Sequence, residues 1–306
     1  MEAAAKPLQP ALEELIQQAA QGSVLHNDDT GMRILRLARK PGDKRTGTFT
    51  SGIVSIVGDR RIALYFTGWK HAGENIAAVL KQRARQLPPP IQMSDALSRN
   101  TPKLEGIEIV LANCLAHGRR QFVDLVESFP EECRYVLEML RGVYHNDALA
   151  LEQKLSPEDR LRWHQEHSGP LMATLHDWME SQFAEHKTEP NSKLGKAFSY
   201  LLNHWTKLML FLREPGAPID NNVVERALKK AILNRRNALF YRTLNGAGVD
   251  DLFMSLIHTC ELNGVNPFHY LSELLRHAED IPRAPSEWMP WNYRQTMAAM
   301  AAPAAA

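Results

Sequence analysis

Between residues 23 and 67 the chain has several short runs typical of β-strands. Residues 32–37 alternate apolar and basic positions with a period of two, and residues 46–57 are rich in threonine, valine and isoleucine. The turn pairs Gly42-Asp43 and Gly58-Asp59 separate the apolar runs and predict consecutive hairpins. A helix is predicted over residues 74–87, because Ile76, Val79 and Leu80 recur at helical spacing before a proline run. The runs that predict strands are residues 24–26, 32–37, 46–57 and 61–67, followed by shorter ones at 91–95 and 107–111.

Elsewhere the apolar positions follow the period of a helix. Residues 1–22 predict a lead-in helix, and residues 120–213 contain only helical patterns, which indicates an all-helical block. Two more helices are predicted near residues 250–261 and 268–275. Beyond Ile281 the chain is rich in proline and alanine, which predicts a flexible tail.

A basic helix is predicted from Pro218 to Phe240. Asp220, Asn221 and Asn222 are good N-cap residues, and Glu225 lies in the first turns, where the helix dipole favours a carboxylate. The residues after this acid are basic without an intervening acid: Arg226, Lys229, Lys230, Arg235, Arg236 and Arg242. Two interpretations follow: a capped surface helix with a solvated basic face, or a metal-binding carboxylate beside a phosphate-binding surface.

Composition narrows the class of protein. With 44% hydrophobic and 23% charged residues, the 306-residue chain can form a packed core. The formal net charge is +1, so any nucleic-acid-binding surface must be local. Three scattered cysteines form no disulfide framework, and there is no signal-peptide pattern or membrane-spanning run. We therefore expect a soluble, cytoplasmic protein.

Three carboxylates stand at positions where one site could form. Asp28 and Asp95 each end a predicted strand, and Glu225 lies on the basic helix. Polar groups at the carboxyl ends of neighbouring strands in an α/β sheet point into one crevice. Three carboxylates there would repel one another unless a cation neutralised them, and carboxylates suit Mg²⁺ or Mn²⁺. The competing interpretation of each acid is a solvated surface residue, because the chain has 35 acidic residues.

Several stretches resemble the insertion-sequence-66 family of bacterial transposases, which carry an Asp-Asp-Glu (DDE) triad. Residues 24–30 (VLHNDDT) are similar to the family's LHxDET, and residues 113–122 (NCLAHGRRQF) are similar to GCWAHARRKF. The strongest similarity is at residues 219–226 (IDNNVVER). Further motifs follow in the family's order, at residues 155–160, 192–197, 234–240, 263–267, 270–271 and 290–292.

The resemblance implies a ribonuclease-H-like core, an α/β fold with a mixed sheet flanked by helices, interrupted by an all-α insertion. The implied organisation is a lead-in helix (1–22), the first part of the core (23–118), the helical insertion (119–217), the final core helices (218–280) and a flexible tail (281–306).

The resemblance also implies a chemistry. Asp28 matches the first catalytic aspartate and Glu225 the glutamate, with two Mg²⁺ or Mn²⁺ ions between the acids. Asp95 is the candidate for the second aspartate, although residues 93–97 (MSDAL) lack the family's usual DGY. Asp29 stands where the family has Glu, and Ala238 where it has Trp. The implied activity is cleavage at transposon ends followed by strand transfer, by a bacterial, nucleoid-associated protein.

Other residues in the matching motifs have binding or structural interpretations. Cys114 and His117 have C-x-x-H spacing, but zinc would need two more ligands, and we predict a structural role near the site, as for Asn221 and Asn222. A Cys/His nucleophile is the alternative. The predicted DNA-contacting residues are Arg119, Arg120, Arg226, Lys229, Lys230, Arg235 and Arg236, for which surface salt bridges are the competing interpretation.

Three functions remain open from the sequence. The first is a DDE transposase acting on transposon ends and target DNA, expected to be a homodimer on DNA, with accessory proteins of the same element as further partners. The second is an inactive or regulatory DNA-binding remnant of such an element. The third is a nuclease that cuts without joining. The family's end-recognition segments have no equivalent before Val24, so we expect the catalytic portion of a longer protein.

Overall fold

The computed structural model describes residues 2–37, 45 and 47–301 and has an α/β fold. The described strands are β1 (Val24–Gly31), β2 (Ile34–Arg36), β3 (Phe49–Val57), β4 (Arg60–Gly68), β5 (Ile91–Ser94), β6 (Val110–Asn113) and β7 (Tyr241–Thr243). The described helices are α1 (Glu2–Ala5), α2 (Gln9–Ala19), α3 (Ala72–Leu80), α4 (Leu115–Val123), α5 (Pro130–Glu152), α6 (Pro157–His167), α7 (Gly169–Ala184), α8 (Lys193–Leu208), α9 (Asn222–Ala238), α10 (Leu244–Leu262), α11 (Pro267–Arg276) and α12 (Tyr293–Ala301).

Five strands form one sheet in the order β4-β3-β1-β5-β6, and β2 and β7 form a separate pair. β3 pairs antiparallel with both β1 and β4. The hairpin predicted at Gly58-Asp59 is confirmed, since Val57 pairs with Arg60 and Gly58 adopts the positive φ of +62° that such a turn requires. The turn predicted at Gly42-Asp43 lies outside the described residues.

The strand predicted over residues 32–37 is shorter and pairs differently. It covers Ile34–Arg36 and runs parallel to β7, with Ile34 opposite Tyr241. This strand is not part of a hairpin, because β1 pairs directly with β3. The strand predicted at 107–111 begins later, at Val110, and follows a turn in which Gly106 has a φ of +71°. The helix predicted over residues 74–87 ends at Leu80.

Helix α10 covers the open edge of β4 with polar side chains. Backbone N–H groups of alternate β4 residues donate to side chains spaced four apart along the chain: Thr67 to Asp251 (2.6 Å), Tyr65 to Ser255 (3.0 Å), Ala63 to Thr259 (3.0 Å) and Arg61 to Asn263 (3.1 Å). The two sets of residues stay in step because four residues rise ~6 Å along a helix and two residues rise ~6.6 Å along a strand. This ladder of hydrogen bonds satisfies backbone N–H groups at the edge of β4, which could otherwise pair with a strand of another chain.

Asp251 makes this ladder sensitive to pH. Burial raises the pKa of Asp251 from its ordinary 3.8 to about 7, against the opposing effect of hydrogen bonds from Thr67. Since the folded state holds this proton more tightly, its stabilising contribution is complete below pH ~4 and is lost as the pH rises through 7. Over this window the wild type should lose up to about 1.4 kcal/mol of stability per pH unit through Asp251. The variant Asp251→Asn, which mimics the neutral acid, should not show this loss.

Urea unfolding of wild type and Asp251→Asn at pH 5 and pH 8 measures this difference. The free energy of unfolding of the wild type should fall more than that of the variant between the two pH values. Equal losses in both proteins would show that Asp251 does not titrate in this range.

The chain divides into two compact units. The first consists of the described residues of Met1–Gln92, Leu97–Ile109 and Val223–Ala306. Its main core includes Leu8, Leu15 and Ala19, so the predicted lead-in helix is part of this unit. The segment predicted to be a flexible tail is also packed, as far as residue 301, where the described residues end. Ile281, Trp288, Met289 and Tyr293, the first residue of α12, are buried in this core. These bulky apolar side chains fix the segment despite its prolines and alanines.

The second unit consists of Met93–Ala96 and Val110–Asn222. All elements that the structure describes from Leu115 to Leu212 are helical, in agreement with the helical pattern. Phe122 and Phe198 pack with ring centroids 5.7 Å apart in its core. Half-buried Asp147 accepts hydrogen bonds from Arg160 (2.6 Å) and His164 (3.1 Å) and so links α5 to α6. Within the described part of the chain, no helix combines the length and apolar character that crossing a bilayer requires.

Candidate active site

Asp28 lies on β1, directly opposite Gly52 of β3. Residues that face each other across an antiparallel pair project to the same side of the sheet. A Cβ atom placed on Gly52 would lie 3.0 Å from Leu228 Cδ2 and 3.3 Å from Val224 Cγ2, so α9 covers this side closely. Asp28 therefore projects, half-buried, onto the sheet face that α9 covers.

Glu225 lies on α9, next to the residues that make this contact. Val224, which precedes it, is fully buried, whereas Glu225 is half-buried. The helix is further fixed to the sheet by Tyr65 of β4, whose hydroxyl donates to the backbone oxygen of Ala227 at 2.9 Å. The first unit thus brings the helix that carries Glu225 onto the sheet face that bears Asp28.

Asp29 has a different environment from its neighbour, because successive strand residues project to opposite faces. Its side chain is buried and lies 2.7 Å from His71 Nδ1 and 3.5 Å from Arg99 Nη2. His71 is the N-cap residue of α3, where the helix dipole favours a negative charge. These contacts assign Asp29 to the attachment of α3 to the sheet.

Asn100 holds the carboxylate of Asp28 in place, and sequence reasoning missed it. Its Nδ2 donates to Asp28 Oδ1 at 3.1 Å, and its backbone oxygen accepts from Asn27 Nδ2 at 2.8 Å. Gln92 donates to both Asn27 and the Asn100 backbone, so three buried amides form one network behind Asp28. A single asparagine in a polar loop carries no sequence signal for this role.

Gly73 allows the loop that carries Asn100 to approach α3. A Cβ atom at this position would lie 2.6 Å from the backbone oxygens of Arg99 and Thr101. Because backbone atoms cannot move aside cheaply, any larger residue at position 73 would displace the loop and its hydrogen bond to Asp28.

In the second unit, Asp95 lies directly after β5 and is buried. Asn113 Nδ2 donates to its backbone oxygen at 3.3 Å, and the neighbouring Ser94 oxygen accepts from the Cys114 N–H at 2.9 Å. Tyr200 of α8 lies nearby. Its burial, and next the negative charge of Asp95, raise the pKa of Tyr200 to about 12. The position of Tyr200 beside Asp95 was not predicted from the sequence.

Cys114 is buried in the second unit and hydrogen-bonds to the backbone there. It is the N-cap residue of α4, and its Sγ accepts the backbone N–H of Asn221 at 3.2 Å. The next residue, Leu115, donates its N–H to the Ile219 oxygen at 3.0 Å. The thiol thus joins α4 to the segment before α9. Asn222 donates its backbone N–H to Asp220 Oδ1 at 3.1 Å, and His117 lies, half-buried, in the first turn of α4.

The predicted DNA-contacting residues differ in how far they are already engaged. Lys230 is ion-paired with Glu261, and Arg235 donates to the Gly31 oxygen and to Thr30 at 3.2 Å. These two therefore have structural contacts within the first unit. The remaining five are exposed on α9 or, in the second unit, on α4: Arg226, Lys229, Arg236, Arg119 and Arg120.

Family models match almost the whole chain. The model described as Transposase IS66 family matches residues 1–248, and the model of the IS66 C-terminal element matches residues 255–291. The chain belongs to the IS66 family of transposases. The family resemblance inferred from the motifs is thereby confirmed.

Three curated proteins of Sinorhizobium fredii are similar to this IS66-family chain. The uncharacterized protein y4jD is 31% identical over 212 residues, which are 67% of this chain and 40% of the relative. The uncharacterized protein y4hP is 29% identical over 64% of this chain and 37% of its own length. The uncharacterized protein y4qI is 32% identical over 61% of this chain and 34% of its own length. The chain thus spans at most about two fifths of the relatives it matches.

Proposed function

We propose that this IS66-family chain is the catalytic domain of a DNA transposase, built on a ribonuclease-H-like core. Asp28, Asp95 and Glu225 form its DDE triad and carry out cleavage at transposon ends and strand transfer into target DNA. The observation that carries the proposal is the close packing of α9, the helix of Glu225, on the sheet face that bears Asp28. Asp95 is included in the triad because it directly follows β5, the strand next to β1 in the sheet order.

The donor set fits hard divalent cations, because carboxylate oxygens are the ligands that Mg²⁺ and Mn²⁺ prefer. Two such ions, when bound, would supply charge stabilisation for the attacking and leaving oxygens of a phosphoryl transfer. The chain's own contribution is positioning. The buried amide network of Asn27, Gln92 and Asn100 holds Asp28, and the Tyr65 hydroxyl fixes α9 beside it.

In this proposal the exposed cations bind the DNA backbone. Arg226 and Lys229 of α9 contact phosphates near Glu225, Arg236 contacts phosphates near the other end of the helix, and Arg119 and Arg120 contact phosphates on α4. Such contacts carry no sequence information and weaken as salt rises. Because both transposon ends must be cut together, the active form is a homodimer on DNA.

A supercoiled plasmid that carries the ends of the encoding element tests the proposal. The full chain is incubated with it in Mg²⁺, in Mn²⁺ and in EDTA. Cleaved ends joined to target DNA only in the presence of metal would support the transposase. Cleavage without joining would identify a nuclease, and binding without cleavage would identify a regulatory remnant; either result overturns the proposal.

Asn100→Ala tests the positioning of Asp28. We expect cleavage to fall about 10- to 100-fold, the usual cost of losing a residue that orients a metal ligand. The matched control is Asn75→Ala, which removes another buried amide, donating to Ser51 Oγ at 2.8 Å. Both variants should lose about 1–3 kcal/mol of stability. Only Asn100→Ala should weaken Mn²⁺ binding, measured by titration calorimetry; equal effects of both variants on Mn²⁺ would contradict the role of Asn100.

A further inference from the structure

An exposed apolar surface surrounds the end of α9 in the first unit. Leu239 is 65% exposed and Phe240 39%, directly after the last residue of the helix. Leu35 on β2 is 46% exposed and Leu244, after β7, 45%. We call these four residues the α9-end surface. Apolar side chains scattered singly on a surface need no explanation, whereas several of them close together are a candidate binding site.

Strand pairing brings these residues together. The Tyr241 N–H donates to the Arg33 oxygen at 2.8 Å, and β7 continues parallel to β2 with Arg36 opposite Thr243. Phe240 therefore precedes the residue that begins the pairing, and Leu35 lies in the middle of the partner strand. The side chain of Arg235 ties the same helix end to Gly31, three residues after Asp28 on β1.

Leu239 is held in a strained backbone conformation. Its φ is +63°, and the Phe240 N–H donates to the Ala238 oxygen at 2.7 Å, which closes a three-residue turn around it. Such turns with a positive central φ are rare, and the residue after a helix end in this conformation is usually glycine. A leucine here is disfavoured and gains little burial in return. Strain of this kind concentrates at functional sites.

The surroundings of the α9-end surface are cationic. Arg33, Arg36, Arg236 and Arg242 are all exposed around it. Among the residues that the structure describes, no carboxylate pairs with Arg236 or Arg242. A small apolar group with four exposed arginines within three positions of its members along the chain complements a polyanion that also offers flat apolar faces. A stable protein interface needs about 800 Å² on each partner, far more than four side chains provide.

We propose that Leu239 and Phe240 form a wedge that contacts unstacked bases of bound DNA, while Arg33, Arg36, Arg236 and Arg242 hold the flanking phosphates. Apolar wedges between base steps and aromatic stacking on unpaired bases are known ways of holding distorted DNA. The inference rests on the proposed function, since it assumes that DNA is the substrate. Leu239 is fourteen positions after Glu225, or ~21 Å along the helix axis, so the contacted bases lie several nucleotides from the cleaved phosphate.

The test is the binding of a duplex from the element's end, with 2-aminopurine placed at successive positions from the cut. Wild type should raise the fluorescence at one or two positions several nucleotides from the cut, because the base there unstacks. Phe240→Ala and Leu239→Gly should abolish this rise and weaken binding of the paired duplex about tenfold. A mismatch at the same position should restore their binding, since the unstacking cost is then already met.

The controls distinguish a loss of folding, a failure of the proposed function and a failure of the wedge proposal. Leu239→Gly relieves the positive φ, so its melting temperature should be no lower than that of wild type. Phe268→Ala removes a 76% exposed phenylalanine elsewhere in the first unit and should change neither binding nor fluorescence. If the wild type cleaves DNA but both wedge variants behave like Phe268→Ala, the wedge is refuted and the proposed function stands. If the wild type binds no DNA, both fail. A changed oligomeric state in Leu239→Gly would reassign this surface to protein contacts and refute the wedge.

Discussion

Asp28→Asn should abolish DNA cleavage without destabilising the fold, whereas Asp29→Asn should do the reverse. The two residues are adjacent but project to opposite faces of the sheet. Asp28 faces α9 and receives a hydrogen bond from Asn100, while Asp29 is held by His71 and Arg99. Replacing the charge at Asp28 removes a proposed metal ligand, and we expect a loss of at least about 10³-fold in cleavage rate, comparable to losing a major electrostatic contact.

For Asp29→Asn the expected cost is in stability. Its buried carboxylate loses charge-assisted contacts at the start of α3, and we expect a loss of about 1–3 kcal/mol. Urea unfolding and the cleavage rate under conditions where both variants are folded measure the two effects. If Asp29→Asn were the variant that lost cleavage and Asp28→Asn the one that unfolded, the face assignment would be reversed and the candidate site would be wrong.

Glu225→Gln should stop cleavage and strand transfer while leaving DNA affinity at or above that of wild type. The substitution keeps the size of the side chain and removes one negative charge from a helix whose other charged residues are basic. Losing this carboxylate removes a proposed metal ligand, with a rate loss again of at least about 10³-fold. Losing its charge weakens the repulsion of phosphates, so affinity does not fall.

Arg226→Gln is the matched control on the same helix. Arg226 is exposed, and we expect its loss to weaken DNA binding about two- to fivefold and to reduce its salt dependence by about one counterion. Cleavage at saturating protein should be retained. Fluorescence anisotropy at several salt concentrations, together with single-turnover cleavage, separates the two variants. If Glu225→Gln cleaved DNA at the wild-type rate, the chain would not act through a DDE triad.

The sequence predicts turns and helix ends well because these depend on the conformational preferences of a few neighbouring residues. The turn at Gly58-Asp59 needs a positive φ that glycine supplies, and it forms the expected hairpin. The helix that carries Glu225 ends at Ala238, close to the predicted end at Phe240. The family motifs point to Asp28 and Glu225 through residue identity alone.

What the sequence could not give depends on contacts between distant segments. Whether Asp28 or Asp29 faces α9 depends on the register of β1 against β3, which places Gly52 under Leu228. Asn100 reaches Asp28 from 72 residues away along the chain. In α10, Ser255 and Thr259 have the spacing of a solvated polar stripe, yet they are buried against the edge of β4. The apparently loose tail is fixed by Trp288 and Tyr293, whose burial no local pattern indicates.

The central claim is that Asp28, Asp95 and Glu225 bind catalytic metal together. Crystals of the full chain soaked in Mn²⁺, with data collected at the manganese absorption edge, test it most directly. We expect one or two anomalous peaks, each within about 2.5 Å of carboxylate oxygens, with all three residues contributing. Peaks held by Asp28 and Glu225 while Asp95 points away would show that the second aspartate is assigned wrongly. A Mn²⁺-free cluster, or manganese bound only elsewhere, would contradict the account.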